Sequence, residues 1–147
     1  MDLLTRLTED MKSAMKARDS ARLSVIRMLV SAVRYVGIDK GQMTDDEVIK
    51  VLVKEAKKRR ESITSFRDGG REEQAKQEEY ELTVIDEYLP KQMSEEEVET
   101  KVKELLQNKD VRSQNMGQVI GMVMKELGGQ ADGKLVAKIV NEIFATN

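Results

Sequence analysis

The chain has no cysteine, no histidine and no tryptophan, one proline, and only three tyrosines and two phenylalanines in 147 residues. Each absence removes a class of function. Without cysteine there is no disulfide, no thiolate nucleophile and no thiolate metal site, and without histidine the commonest general base and zinc ligand are missing. Catalysis would fall to Asp, Glu, Lys, Ser, Thr or Tyr, a handicap for an independent enzyme. The expectation is therefore no catalytic residue, no metal and no cofactor. No apolar run approaches the ~18 residues of a membrane span, and the acidic start MDLLTRLTED lacks the basic flank of a secretion signal. These two features give the expectation of a cytoplasmic protein with no membrane partner.

With aromatics at 3%, a core must be built from Leu, Ile, Val, Met and Ala, which suit helix packing. Charged residues at 35% supply the solvated faces of such helices. The fold class expected is all-α. A net charge of −2 hides strong polarisation. Residues 11–34 carry six basic side chains and one acidic, residues 50–67 seven and two, and residues 72–87 one and seven.

Apolar spacing and caps divide the chain. Leu3, Leu7, Met11 and Met15 mark a first amphipathic helix. Asp19 caps a second through Leu23, Ile26, Val33 and Val36, which Gly37 or Gly41 ends. Thr44 and Glu47 have capping-box spacing, and a third helix runs from there to Gly69 or Gly70. A fourth, from about Arg71, is polar in its first half and apolar from Tyr80 to Leu89. Pro90 breaks the pattern and Ser94 with Glu97 restarts it, predicting a boundary between an N-terminal four-helix bundle, 1–89, and a small C-terminal three-helix domain, 90–147. The last three helices are expected near 95–108, 116–127 and 133–145.

Three of the nine glycines fall within LGGQADG. Gly128 suits a helix C-terminus and Asp132 the next N-cap, but Gly133 lies in a first helical turn, where Gly costs about 1 kcal/mol against Ala. Gly117 and Gly121, one turn apart, permit close approach of a backbone, either a neighbouring helix or the chain of a ligand.

Gly117, Gly121 and Met124, followed by GGQAD and a closing helix, resemble the C-terminal tail of the B subunit of bacterial Glu-tRNA(Gln)/Asp-tRNA(Asn) amidotransferases. DMKSAMKARDSARLSVIRMLVSAV is similar to the other end of the same unit, which occurs alone in the YqeY proteins. The resemblance to this GatB/YqeY family covers essentially the whole chain. It implies a helical bundle followed by a small helical domain, and a tRNA-binding appendage. Glutamine-dependent amide transfer, the activity of the relatives' complex, resides in parts that this chain does not carry.

Candidate RNA contacts follow from the basic rows. Lys50, Lys54, Lys57 and Lys58 share a face of the third helix about 12 Å long and suit phosphate tracking, or an ordinary solvated face. Ser20, Ser24, Arg27, Ser31 and Arg34 form a continuous row on the second helix. Either an RNA backbone lies close on its small serines, or Arg27 and Arg34 pair with acids across the bundle. Arg59 differs from its neighbours: it falls in the apolar row of Leu52, Ala56 and Ile63, with its head directed to the acidic fourth helix. In the small domain the candidates are Gly129, Gly133 and Lys134 at a helix start, with Gly117 and Gly121. Lys125 and Lys138 lie nearby. The acidic clusters TDDE and SEEEVE open helices and fit the dipole better than a metal.

With the tyrosines and phenylalanines mostly on apolar rows, no platform for stacking bases is expected, and recognition of structured RNA, tRNA foremost, would be by shape. A protein-interaction adaptor, or an accessory to an amidotransferase, are the competing readings.

Overall fold

The computed structural model describes residues 2–107 and 115–146, and all regular structure among them is helical. The chain divides into two compact units, Met1–Leu89 and Pro90–Asn147.

The first unit consists of α1 (Leu3–Lys16), α2 (Ser20–Gly37), α3 (Asp45–Asp68) and α4 (Glu72–Asp86). Side-chain caps begin three of them. Asp2 accepts from the Thr5 amide at 2.7 Å, Asp19 from Arg22 at 3.1 Å, and Thr44 Oγ1 from Glu47 at 3.2 Å. Each bond satisfies an amide that the helix cannot. α1 packs chiefly on α2 and α3 chiefly on α4, with α2 touching both α3 and α4. The buried stripe of α2, Val25, Ile26, Leu29, Val30 and Val33, meets Leu7 of α1, Val48, Leu52 and Ala56 of α3, and Val84 and Ile85 of α4. Burying each such aliphatic side chain contributes about 1.5–3 kcal/mol. The polar first half of α4 also reaches the interior, because Ala75 is fully buried.

One member of this interior is charged. Arg59 is 7% exposed and continues the buried row Val48, Leu52, Ala56. Its guanidinium pairs with Glu55 one turn back, donates to the Glu55 carbonyl at 3.2 Å, packs on the sulfur of Met28 of α2, and faces Glu81 of α4 at 4.0 Å. Its Nε has no partner. Around the end of the unit, Tyr88 is buried under the guanidinium of Arg6 at 4.6 Å and donates to Asp10, while Glu87 accepts from Arg22 at 2.7 Å.

The second unit consists of α5 (Glu95–Leu106), α6 (Met116–Leu127), a short 3₁₀ turn (Gly128–Gln130) and α7 (Gly133–Thr146). The expected end of the fifth helix at residue 108 falls outside the described residues. Ser94 caps α5 through the Glu97 amide at 3.1 Å, and Asn115 caps α6 through Gln118 at 2.9 Å. Val98, Val102 and Leu106, Val119, Val123 and Leu127, and Val136, Ile139 and Val140 form its core. Gly128, at φ 58° and ψ −133°, has a backbone that only glycine adopts readily, and it swings the chain from α6 into the 3₁₀ turn. That turn is tied to the segment before α5: the Met93 amide donates to the Gln130 carbonyl at 2.8 Å and the Gln92 side chain to the Gly129 carbonyl at 2.6 Å.

Replacing Arg59 by Met keeps the stem and removes the charge, leaving Glu81 without its cation. Urea denaturation of Arg59→Met should show a loss of about 3 kcal/mol, with part of it recovered when Glu81→Gln is added. A single variant within 0.5 kcal/mol of the parent, a bound typical of neutral surface changes, would show that the pair is incidental (roughly).

Candidate functional site

Three of the six acids of α4 form ion pairs within the first unit, and so does Glu87 just beyond its end. Arg67 pairs with Glu72 at 3.2 Å and with Glu79, Arg59 with Glu81, and Arg22 with Glu87. Burial pushes the Glu81 carboxyl above the usual carboxylate range; Glu78 adds to the rise and Arg59 opposes it. The Asp86 carboxyl is raised by burial against the pull of Arg60. Burial first, and the Asp10 carboxylate second, also push the Tyr88 hydroxyl up.

Among the cations that these acids leave over, two groups lie on outward faces. On α2, Ser20, Ser24, Arg27, Ser31 and Arg34 are all exposed, on the side of the helix opposite Ile26, Leu29 and Val33. Neither Arg27 nor Arg34 has a carboxylate partner among the described residues, so pairing across the bundle does not account for them. α2 contains no acidic residue in its 18 positions, where roughly three would match the chain's average. On α3, Lys50, Lys54 and Lys57 point away from the buried row and are likewise unpaired. Lys58 is partly neutralised by Glu55 at 3.6 Å. The two Arg side chains are about 10 Å apart along the axis, and the three unpaired Lys span a similar length.

The aromatic reading needs correction. Tyr35 is 79% exposed and Ile38 75%, and both extend the outward α2 row beyond Ser31. Helix periodicity places Tyr35 on the side of α2 opposite the buried stripe. Bare Gly37 lets Met43 fold back against the helix end, where an added methyl would stand 3.1 Å from Met43 Cγ. Met43 packs on the core. The carbonyl of Gly37 then accepts from Lys40 at 3.1 Å and Gly41 at 3.0 Å, closing the turn. The sequence signal was present, since Tyr35 lies four residues after Ser31, but its apolar neighbours Val33 and Val36 mask it.

In the second unit the candidates separate. Gly117 and Gly121 are exposed. Among the described residues a methyl added at Gly121 would meet nothing within 4 Å, and at Gly117 only the cap oxygen of Asn115 at 3.5 Å, so packing against the described helices does not require either glycine. Gly129 does not belong to an outer surface: it is buried and its carbonyl is taken by Gln92. A methyl added at Gly133 would stand in ordinary contact with the methyl of Met124, at 3.8 Å. At the start of α7 the Lys134 amide donates to the Asp132 carboxylate at 3.3 Å, which already fills the place of an incoming phosphate and repels it. Lys138 reaches Glu95 at 3.9 Å, while Lys125 and Lys134 are exposed and have no carboxylate partner among the described residues. Among the described residues no group of acids is placed to hold a metal ion, and no helix is long and apolar enough to cross a membrane.

Two helical units define a small all-α protein whose first unit carries unpaired cations on the outward faces of α2 and α3. The chain belongs to the YqeY family, whose description as Yqey-like protein it matches over residues 4–144. Among curated proteins it is similar to Altered inheritance of mitochondria protein 41, mitochondrial, of Pyrenophora tritici-repentis, with 29% identity over 96% of this chain and 80% of the relative. It is also similar to the protein of the same name in Clavispora lusitaniae, with 29% identity over 85% of this chain and 74% of the relative. In Lachancea thermotolerans the identity is 34% over 72% of this chain and 59% of the relative. These mitochondrial names overturn the cytoplasmic placement expected from composition, pointing to mitochondria instead.

A carboxyl whose folded value is raised favours folding while it is protonated. That contribution is present below the ordinary value of about 4.3 and is lost as pH rises through the raised one. Glu81→Gln removes the titration. The thermal midpoint of the variant minus that of the parent should therefore increase between about pH 4 and pH 7. A flat or falling difference would contradict the burial assigned to Glu81.

Proposed function

We propose that this protein is an RNA-binding module that holds structured RNA, tRNA foremost, by its phosphate backbone. The observation that carries the reading is the outward row of α2, where Arg27 and Arg34 stand exposed, unpaired and separated by small serines on a helix without acids. Guanidinium groups in that state keep their planar fork for phosphate, and the serines let a backbone come close. Lys50, Lys54 and Lys57 on α3 add sequence-independent attraction, and Lys58 does so less because Glu55 shares it. Exposed Gly117 and Gly121, with Lys125 and Lys134, offer the small unit as a second contact. The likeness of this chain to the tail of amidotransferase B subunits supports the same substrate. Amide transfer itself would belong to other chains.

A protein-adaptor role is the second reading, favoured by the exposed side chains of Tyr35 and Ile38.

Titration of labelled bulk tRNA at low and moderate salt tests the proposal. The intact protein should bind at micromolar levels, with a log–log salt slope of about −0.7 to −0.9 per neutralised phosphate. Arg27→Glu with Arg34→Glu should weaken binding at least about tenfold, and Lys54, Lys57 and Lys58 changed together to Glu should do the same and flatten the slope. No binding at low salt by the intact protein would leave the adaptor reading in its place.

A further inference from the structure

At the C-terminal end of the α2 row the surface changes character. Ser20, Ser24, Arg27 and Ser31 give way to Arg34, Tyr35 and Ile38, so a charged fork lies beside an aromatic ring and an aliphatic side chain, all turned to solvent. Tyr35 is 79% exposed, although a ring of this size gains from burial wherever the fold offers it. The other two tyrosines are drawn into the core, Tyr88 fully and Tyr80 in part. Past Gly37 the chain turns back and seats Met43 on the core. Of the neighbouring charges, Lys40 pairs with Glu47 at 3.5 Å, and Asp39 is the nearest acid along the chain.

An exposed ring beside an unpaired arginine has a specific chemical complement. A nucleobase offers a π-face of matching size, and the phosphate next to it meets the guanidinium. A continuous duplex keeps its bases stacked on each other and offers no such face. Resting on the RNA reading above, we infer that Tyr35, flanked by Arg34 and Ile38, stacks an unpaired base at the end of the phosphate track laid by Arg27 and Arg34. The ligand class then narrows to structured RNA carrying at least one unstacked nucleotide beside a helical or looped segment. A protein partner docking on Tyr35 and Ile38 is the alternative occupant; the two unpaired arginines on an acid-free helix favour the polyanion.

The test uses the full chain and two labelled RNA hairpins with the same stem, one blunt and one with a three-nucleotide purine overhang carrying 2-aminopurine. The intact protein should bind the overhang hairpin about tenfold more tightly than the blunt one, the scale expected of one stacked base. The 2-aminopurine emission should change on binding. Tyr35→Ala should abolish both the preference and the emission change while leaving affinity for the blunt hairpin intact, and Tyr35→Phe should restore both. Its exposed position makes Tyr35→Ala neutral for folding, which circular dichroism checks. Equal binding of the two hairpins, or a preference that survives Tyr35→Ala, overturns the stacking inference and leaves phosphate tracking standing. Failure of the intact protein to bind either hairpin at low salt overturns the RNA reading and this inference together.

Discussion

The buried guanidinium of Arg59 is the constraint around which the first unit is organised. A charge at 7% exposure must be compensated within reach, and the compensation comes from three helices at once: Glu55 on its own helix, Glu81 on α4 and the sulfur of Met28 on α2. It thereby fixes how α4 lies against α3, because a slide of one turn would carry Glu81 about 5 Å away. The apolar contacts of Leu52, Ala56 and Ile85 supply most of the packing free energy, and the ion pair selects the register in which they meet.

A second consequence concerns the outer surface. The acid-rich block that gives the chain its negative sum is turned toward arginines, with Glu72 and Glu79 on Arg67, Glu81 on Arg59 and Glu87 on Arg22. Three arginines are thus tied up within the unit, and among the cations left unpaired Arg27 and Arg34 stand on the outward face of α2 and Lys50, Lys54 and Lys57 on that of α3. A chain of net charge −2 can in this way present basic rows to a polyanion, since the field near a surface depends on where charges stand more than on their sum.

Much of this was legible in the sequence because helices announce themselves locally. Caps at Asp19, Thr44 and Ser94, and the 3/4 spacing of Leu23 to Val33, depend on residues a few positions apart. Arg59 could be read too, since it occupies an apolar row opposite an acidic helix. What could not be read depends on distant partners. Ala75 is buried because the start of α4 turns back along α3, not because its own neighbours are apolar. Gly129 was taken for a surface position, but its carbonyl is held by Gln92, 37 residues earlier. The exposure of Tyr35 is masked in the sequence by apolar Val33 and Val36 beside it. Composition carries no cell address, and the cytoplasmic expectation stands against relatives that are named mitochondrial.

If RNA lies on the outward face of α2, as proposed, ultraviolet crosslinking of the full chain to bulk tRNA, followed by mass spectrometry of the adducts, is the most direct measurement. Nucleotide adducts should concentrate in peptides spanning residues 27–38, with Tyr35 among the modified positions, and a smaller set should fall on α3 around Lys50 to Lys57. Adducts confined to the acid-rich helix α5, or none at low salt, would contradict that placement.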